Sequence, residues 1–219
     1  MKIILQWIVE RYHFQKFIPL AMILNFAVEF PSESFNSLEF IMRFIFICYA
    51  LLIFRIWDDI ESVKYDKLNH PERLLCKQKN LRSVRCITYL SLTIPLMVSF
   101  FYTPNKNFIP IWCILCIFYV FFYILKKFLI NDNIILNHIG LIKYPVFVLL
   151  LSFDEKFLRV NLISSLIVVS LFMMIYEIVH EPKYKTKKFY KSLLGCEIII
   201  FVCLMIYSIN LYMLGDALF

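Results

Sequence analysis

Glycine is nearly missing from this sequence, with three residues in 219, and charged residues make up only 18%. Hydrophobic residues account for 61% and aromatic residues for 18%, and the mean hydropathy is +0.74. This balance is typical of a polytopic helical membrane protein and excludes an ordinary soluble domain. Backbone groups in lipid must be paired within their own segment, so apolar windows of about twenty residues predict helices that span the bilayer.

Other common features are absent as well. No low-complexity segment, glycine- and serine-rich linker or strong internal repeat divides the sequence, so we predict one domain over residues 1–219. The seven cysteines lie mostly in apolar stretches, which favours buried thiols over a disulfide framework or a zinc site. No small-residue cleavage site follows a long apolar core at the N-terminus, so we expect an interfacial amphipathic helix there and no removable signal peptide.

Seven apolar windows predict an all-α bundle of about seven transmembrane helices. The windows are residues 15–30, 38–57, 86–102, 108–125, 134–153, 159–180 and 193–213. Basic residues concentrate in the N-terminus and after the second, fourth and sixth windows, and the positive-inside rule places these segments in the cytoplasm. The same asymmetry explains the formal charge of +7 without nucleic acid. We therefore predict an integral multi-pass protein of the lipid bilayer, in a bacterial cytoplasmic membrane, with no nucleic-acid partner.

The first acidic cluster follows the second apolar window directly. Its acidic residues are Asp58, Asp59, Glu61 and Asp66. Charges at the edge of a membrane are costly enough to indicate a function. If the helix continues through the cluster, Asp59, Ser62 and Asp66 share one face, Asp58 lies at its border, and Glu61 points away. This face is the predicted anchor of a metal site.

The second acidic cluster ends the sixth window. Glu177 and Glu181 are four residues apart, His180 lies between them on the same helical face, and Pro182 closes the turn. Two acidic helix ends at one aqueous boundary suit a diphosphate held through Mg²⁺, which prefers carboxylates, phosphate oxygens and water. Basic residues close to the clusters could neutralise pyrophosphate as it leaves. They are Arg73, Lys126 and Lys127.

Several polar residues lie inside predicted spans. Lys143 either faces the substrate or extends its ammonium group toward the cytoplasm, and both readings stay open. Glu197 either forms a structural ion pair with Lys143 or faces a cavity. Asn25 and His138 are expected to be hydrogen-bonded between helices.

The sequence resembles the UbiA superfamily of intramembrane prenyltransferases. The family's first signature, N-D-x-x-D-x-x-x-D followed by N-x-P-x-R, is similar to this chain at Asp58, Asp59, Ser62, Asp66, Asn69, Pro71 and Arg73. A tyrosine-and-basic motif after helix four is matched by Tyr123, Lys126 and Lys127, and a D-x-x-x-D motif after helix six by Glu177 and Glu181. This chain has Asp58 where the family has asparagine, Ser62 where it has aspartate, and glutamates in the third motif. The family typically has nine spans, so the chain would lack the last two helices.

The resemblance implies an Mg²⁺-dependent prenyltransferase that ionises a prenyl diphosphate and passes the prenyl group to an aromatic or lipid-like acceptor. It implies metal ligands at Asp58, Asp59, Asp66, Glu177 and Glu181, of which all but Asp58 would be catalytic. It implies substrate-binding roles for Asn69, Arg73, Tyr123, Lys126, Lys127, Lys143 and His180. A UbiA-type terpene cyclase, which needs no acceptor, is the alternative. A non-catalytic transporter or scaffold whose acidic helix ends bind cations is the third reading.

Overall fold

The computed structural model describes residues 2–12, 14–29, 36–102, 108–128, 138–152, 160–180, 192, 194–200, 202–203 and 206. The helices within this part are α1 Lys2–Arg11, α2 Phe14–Glu29, α3 Ser37–Asn69, α4 Leu74–Lys77, α5 Arg82–Tyr102, α6 Phe108–Phe128, α7 Lys143–Leu151 and α8 Val160–His180. Residues 138–140 and 194–200 are also helical, and the described residues include no β-strand. The predicted all-α class is confirmed.

Helix α3 determines where the first acidic cluster lies. Its 33 residues correspond to a rod of about 50 Å, whereas the hydrocarbon core of a bilayer is about 30 Å thick. The helix begins at a cap, because the side chain of Asn36 accepts hydrogen bonds from the backbone N–H groups of Leu38 and Glu39. It ends just before Pro71, where His70 leaves the helical region with φ −142° and ψ 58°, as the residue before a proline does. The acidic cluster therefore sits on a rigid extension of an apolar helix.

Two helices of the described part are long and apolar enough to cross a membrane, Ser37–Leu68 and Phe108–Lys126. The other five of the seven predicted spans stay predictions. The windows at 15–30, 134–153 and 159–180 contain the shorter apolar helices Phe14–Val28, His138–Leu151 and Ser165–Val179. The window at 86–102 lies in α5, which also includes polar residues such as Arg85, Thr88 and Ser91, and most of the window at 193–213 lies outside the described residues.

Both long helices expose apolar side chains. Large exposed residues on them include Ile41, Ile45, Ile114, Ile117 and Phe121. A contiguous apolar exterior is expensive in water and marks a surface that contacts a partner or lipid. The exterior of these helices is thus suited to a membrane.

The chain separates into two compact units, Met1–Phe26 with Ser34–Cys116, and Ala27–Glu33 with Ile117–Phe219. In the first unit, Trp7 of α1 packs in one apolar cluster with residues of α3, α4 and α5. Those residues are Ile56, Ile60, Val63, Leu75 and Val84. A second anchor is Trp112 of α6, which is fully buried and donates its indole N–H to the carbonyl of Leu92 at 2.9 Å. These contacts fix α1, α4 and α5 around the cytoplasmic extension that the sequence predicts for α3.

The second unit contains the remaining predicted site residues. Helices α7 and α8 pack against each other. The hydroxyl of Tyr119 in α6 donates to the carbonyl of Gly140, and the ammonium group of the buried Lys143 lies 5.6 Å from the ring centroid of Tyr119. The prediction of a single domain over residues 1–219 stays a prediction.

Candidate functional site

The inward face of the α3 extension carries Asp59, Ser62 and Asp66. Asp59 and Asp66 are both 6% exposed, and the hydroxyl of Ser62 donates to Asp66 Oδ2 at 3.1 Å. Glu61 points to the other side, where its Oε1 lies 3.8 Å from Arg85 Nε of α5 and 3.4 Å from the Tyr89 hydroxyl. The arrangement of acids that helical spacing predicts is therefore present, and Asp58 lies half-buried beside it.

Asp59 joins α1 to α3. Its Oδ2 accepts from Trp7 Nε1 at 2.9 Å and from Arg11 Nε at 3.0 Å. Its Oδ1 accepts from Arg11 Nη2 at 3.3 Å and lies 3.5 Å from Arg55 Nε, one helical turn earlier. Three donors from two helices thus surround one buried carboxylate.

Asp66 forms the second half of the cluster. The chain turns at Pro71 and brings Arg73 back, so that Arg73 Nη1 lies 2.6 Å from Asp66 Oδ2. The same oxygen accepts the Ser62 hydroxyl. Asp66 and Arg73 therefore meet at the end of α3, while the side chain of Asn69 lies outside the described part.

A small cavity of about 10 Å³ opens between the two acid–arginine pairs. Its lining includes Trp7, Glu10, Arg11, Asp59, Asp66, Arg73, Leu74, Leu75 and Cys76. Both oxygens of Glu10 accept the backbone N–H of Leu74 at 3.2 Å, which fixes α1 to the start of α4. Burial raises the pKa of the Cys76 thiol, so this cysteine stays protonated near neutral pH and is a poor nucleophile or metal ligand. Arg11 and Arg73, paired with Asp59 and Asp66, both line this cavity.

The donors around Asp59 decide whether this carboxylate could also bind magnesium. An ionised carboxylate offers about four acceptor positions. Trp7 and Arg11 donate three hydrogen bonds to Asp59, and Arg55 Nε lies 3.5 Å away as an ion-pair partner. Asp59 as placed therefore has little acceptor capacity left for a magnesium ion. Among the described residues, no three His, Cys, Asp or Glu side chains are close enough to hold a metal ion. The Mg²⁺ requirement stays a prediction from the resemblance, and no step below passes through it.

The second acidic cluster is described only in part. Glu177 lies half-buried in α8, whereas the side chain of His180 and the whole of Glu181 lie outside the described part. Its position relative to the first cluster, which belongs to the other unit, stays a prediction.

The basic and aromatic candidates lie in the second unit as well. Tyr123 is buried, and the ammonium group of the exposed Lys126 lies 5.8 Å from the ring centroid of Phe122. The side chain of Lys127 is outside the described residues. Lys143 is buried and lies 5.6 Å from the ring centroids of Tyr119 and Tyr144. Two aromatic faces therefore stabilise the Lys143 ammonium group inside the protein.

Sequence reasoning missed the roles of Trp7 and Arg11. It expected only an interfacial amphipathic helix at the N-terminus, yet the side chains of Trp7 and Arg11 both bind Asp59. The signal was present in the sequence, because residues seven and eleven are four apart and share one face of a helix. Spacing along the helix does not predict which residue this face contacts.

No protein-family model, no curated protein and no solved structure matches this chain. The resemblance to the UbiA superfamily therefore depends on the motif residues and on their placement after apolar helices.

Proposed function

We propose that this chain is a multi-pass intramembrane enzyme of the UbiA type that binds a prenyl diphosphate, releases pyrophosphate and transfers the prenyl group to an acceptor. The proposal assigns the diphosphate to the cluster on the α3 extension. It gives the second and third motifs the roles that the resemblance implies, at Tyr123, Lys126, Lys127, Lys143, Glu177, His180 and Glu181.

The main support for the proposal is the arrangement of the signature residues. The signature Asp59…Asp66…Arg73 folds into a single buried cluster at the end of an apolar helix, through the 2.6 Å pair of Asp66 and Arg73. A helix end that was merely solvated would have no need to bury two carboxylates beside partly exposed arginines, because burying charge is costly unless it is paired. The apolar exterior of α3 and α6 supports a substrate whose long tail lies in the hydrocarbon region.

The chemistry of the cluster suits a leaving diphosphate. When the bond between C1 of the prenyl chain and the diphosphate oxygen breaks, the bonding electron pair leaves with the oxygen. Guanidinium groups held in place by carboxylates present planar, permanently charged donors to that growing charge. Donors fixed in advance need no reorganisation during the reaction, which is the usual source of electrostatic catalysis. The allylic cation left behind is then captured by the acceptor.

Release of pyrophosphate from farnesyl or geranylgeranyl diphosphate tests the proposal. The full chain, in membranes with magnesium present, should release pyrophosphate, and Arg73→Gln should lower kcat/KM by about 100-fold, as loss of one charge-stabilising donor does. The matched control is Arg85→Gln, since Arg85 pairs with Glu61 on the opposite face of α3, and it should change kcat/KM by less than about twofold. No release by the wild-type chain with either substrate would refute the proposal.

The products of the same assay separate the alternatives. A transferase forms its product only when an acceptor is added, whereas a terpene cyclase forms a hydrocarbon or terpene alcohol from the prenyl diphosphate alone. A transporter or scaffold would bind ions or solutes and never release pyrophosphate.

A further inference from the structure

A buried pair of ionisable side chains lies in the second unit. His138 begins the apolar helix His138–Leu151, and Glu197 lies in the helical residues 194–200. His138 Nδ1 and Glu197 Oε1 are 3.8 Å apart, and the two side chains are 12% and 9% exposed. The structure thus gives Glu197 a histidine partner that the sequence did not predict.

The outer atom of each side chain is buried without a partner. His138 Nε2 and Glu197 Oε2 have no hydrogen-bond partner within the described part of the chain. An unsatisfied buried polar group costs roughly 1–3 kcal/mol, and more when it is charged. Nearly all buried polar atoms in proteins are therefore bonded to protein, water or a ligand. Two such atoms on one pair indicate that something polar binds there.

The chemistry of the two atoms limits what that ligand is. Nε2 of an imidazole donates or accepts according to its protonation, and a carboxylate oxygen accepts. A hydroxyl group, which donates one hydrogen bond and accepts another, satisfies both atoms at once. Because the helix that carries His138 is apolar, the rest of the ligand must be apolar as well.

We propose that His138 and Glu197 bind the hydroxyl group of an apolar alcohol or phenol. Identifying this compound as the prenyl acceptor rests on the function proposed above, whereas the binding itself does not depend on it. An intramembrane carboxylate paired with histidine is costly to keep, and such residues usually mark a substrate or proton pathway. The acceptor class would then be hydroxyl compounds.

Protection of Glu197 from a carbodiimide tests this site directly. Dicyclohexylcarbodiimide is apolar and reacts with carboxyl groups in apolar surroundings, and peptide mass spectrometry of the purified full chain locates the label. Farnesol tests the alcohol and p-cresol the phenol, while the hydrocarbon farnesane matches farnesol without its hydroxyl. At least one hydroxyl compound should lower labelling of Glu197 about fivefold or more, the effect of one net hydrogen bond, whereas farnesane should lower it less than about twofold. Equal protection by farnesane, no protection by either hydroxyl compound, or no label on Glu197 in their absence would overturn the proposal.

Two variants of His138 sharpen the test. His138→Asn keeps an amide near the position of Nδ1 but removes Nε2, so Glu197 should still be labelled and protection should fall below about twofold. His138→Gln places an amide near Nε2 and should retain part of the protection. Unchanged protection in the His138→Asn variant would overturn the proposal. If that variant does not fold, the proposal is tested by comparing the hydroxyl compounds with farnesane on the wild-type chain. A chain that releases no pyrophosphate yet shows hydroxyl-specific protection would refute the proposed function and leave this site intact.

Discussion

Asp59 shows at the scale of one residue how the site is held together. Because Trp7, Arg11 and Arg55 all approach its carboxylate, Asp59→Asn would remove the negative charge that these groups face. We expect the free energy of unfolding to fall by roughly 3 kcal/mol, as when one member of a buried ion pair is removed. Denaturant unfolding of the purified chain in detergent measures this.

The control for Asp59 is Glu61→Gln on the opposite face of α3. The Glu61 side chain is 8% exposed, but its partner Arg85 is 46% exposed and the two atoms lie 3.8 Å apart, so loss of this single, longer pair should cost about 1 kcal/mol. Equal losses in the two variants would contradict the role given to Asp59.

Ser62 replaces the middle aspartate of the family signature and allows a test of magnesium. Its hydroxyl lies 3.1 Å from Asp66 Oδ2, so Ser62→Asp would bring two carboxylates together, and like charges at this distance repel. Without magnesium the unfolding temperature of Ser62→Asp should be below that of the uncharged control Ser62→Asn. Added magnesium should raise it by roughly 3 °C or more, through binding to the folded state. The same magnesium response in both variants would argue against a metal at this face.

Helix α1 shows at the scale of an element what the sequence could and could not predict. The sequence predicts that this helix is amphipathic and lies beside the membrane, since Trp7 and Arg11 are residue types that favour the membrane interface. Its attachment to α3 and α4 depends on contacts between residues about fifty and sixty positions apart, such as Trp7 to Asp59 and Glu10 to Leu74. Spacing along one helix carries no information about such partners.

The same limit explains the other differences. The continuation of α3 through the acidic cluster was predictable because no helix breaker occurs before Pro71. Glu197 was predicted to pair with Lys143 or face a cavity, but it lies beside His138. Two of the seven predicted spans lie in helices of the described part that are long and apolar enough to cross a membrane, and the other five stay predictions.

The link between α1 and α4 gives a prediction at this scale. Glu10→Ala removes the acceptor of the Leu74 N–H, and a hydrogen bond to a charged group contributes about 1.5–3 kcal/mol. Amide hydrogen exchange within Leu74–Lys77 should therefore accelerate about tenfold or more.

The variant Glu39→Ala is the control for this exchange experiment. Glu39 lies in the first turn of α3, far from α4 in sequence, and its removal should leave exchange within Leu74–Lys77 unchanged. Acceleration by both variants would mean that Glu10 is not what holds α4.

At the scale of the whole molecule, the two ends of α3 should lie on opposite sides of the membrane. Asn36, at the start of α3, and Lys79, beyond its acidic end, are both exposed. In a cysteine-free background, a membrane-impermeant maleimide should label Asn36→Cys in intact cells and Lys79→Cys only after lysis, because positive charge is retained in the cytoplasm. Labelling of both positions in intact cells would contradict a membrane-spanning α3 with a cytoplasmic site.

The most direct test of the account is calorimetric titration of the purified chain with farnesyl thiodiphosphate, an analogue that resists ionisation. The cluster of Asp66 and Arg73 on α3 is the predicted binding site of its diphosphate. Wild type and Arg85→Gln should bind the analogue with equal affinity, and Arg73→Gln should bind it at least about tenfold more weakly, the effect of losing a charged hydrogen bond. Equal binding by all three proteins, or no binding by the wild type, would contradict the account.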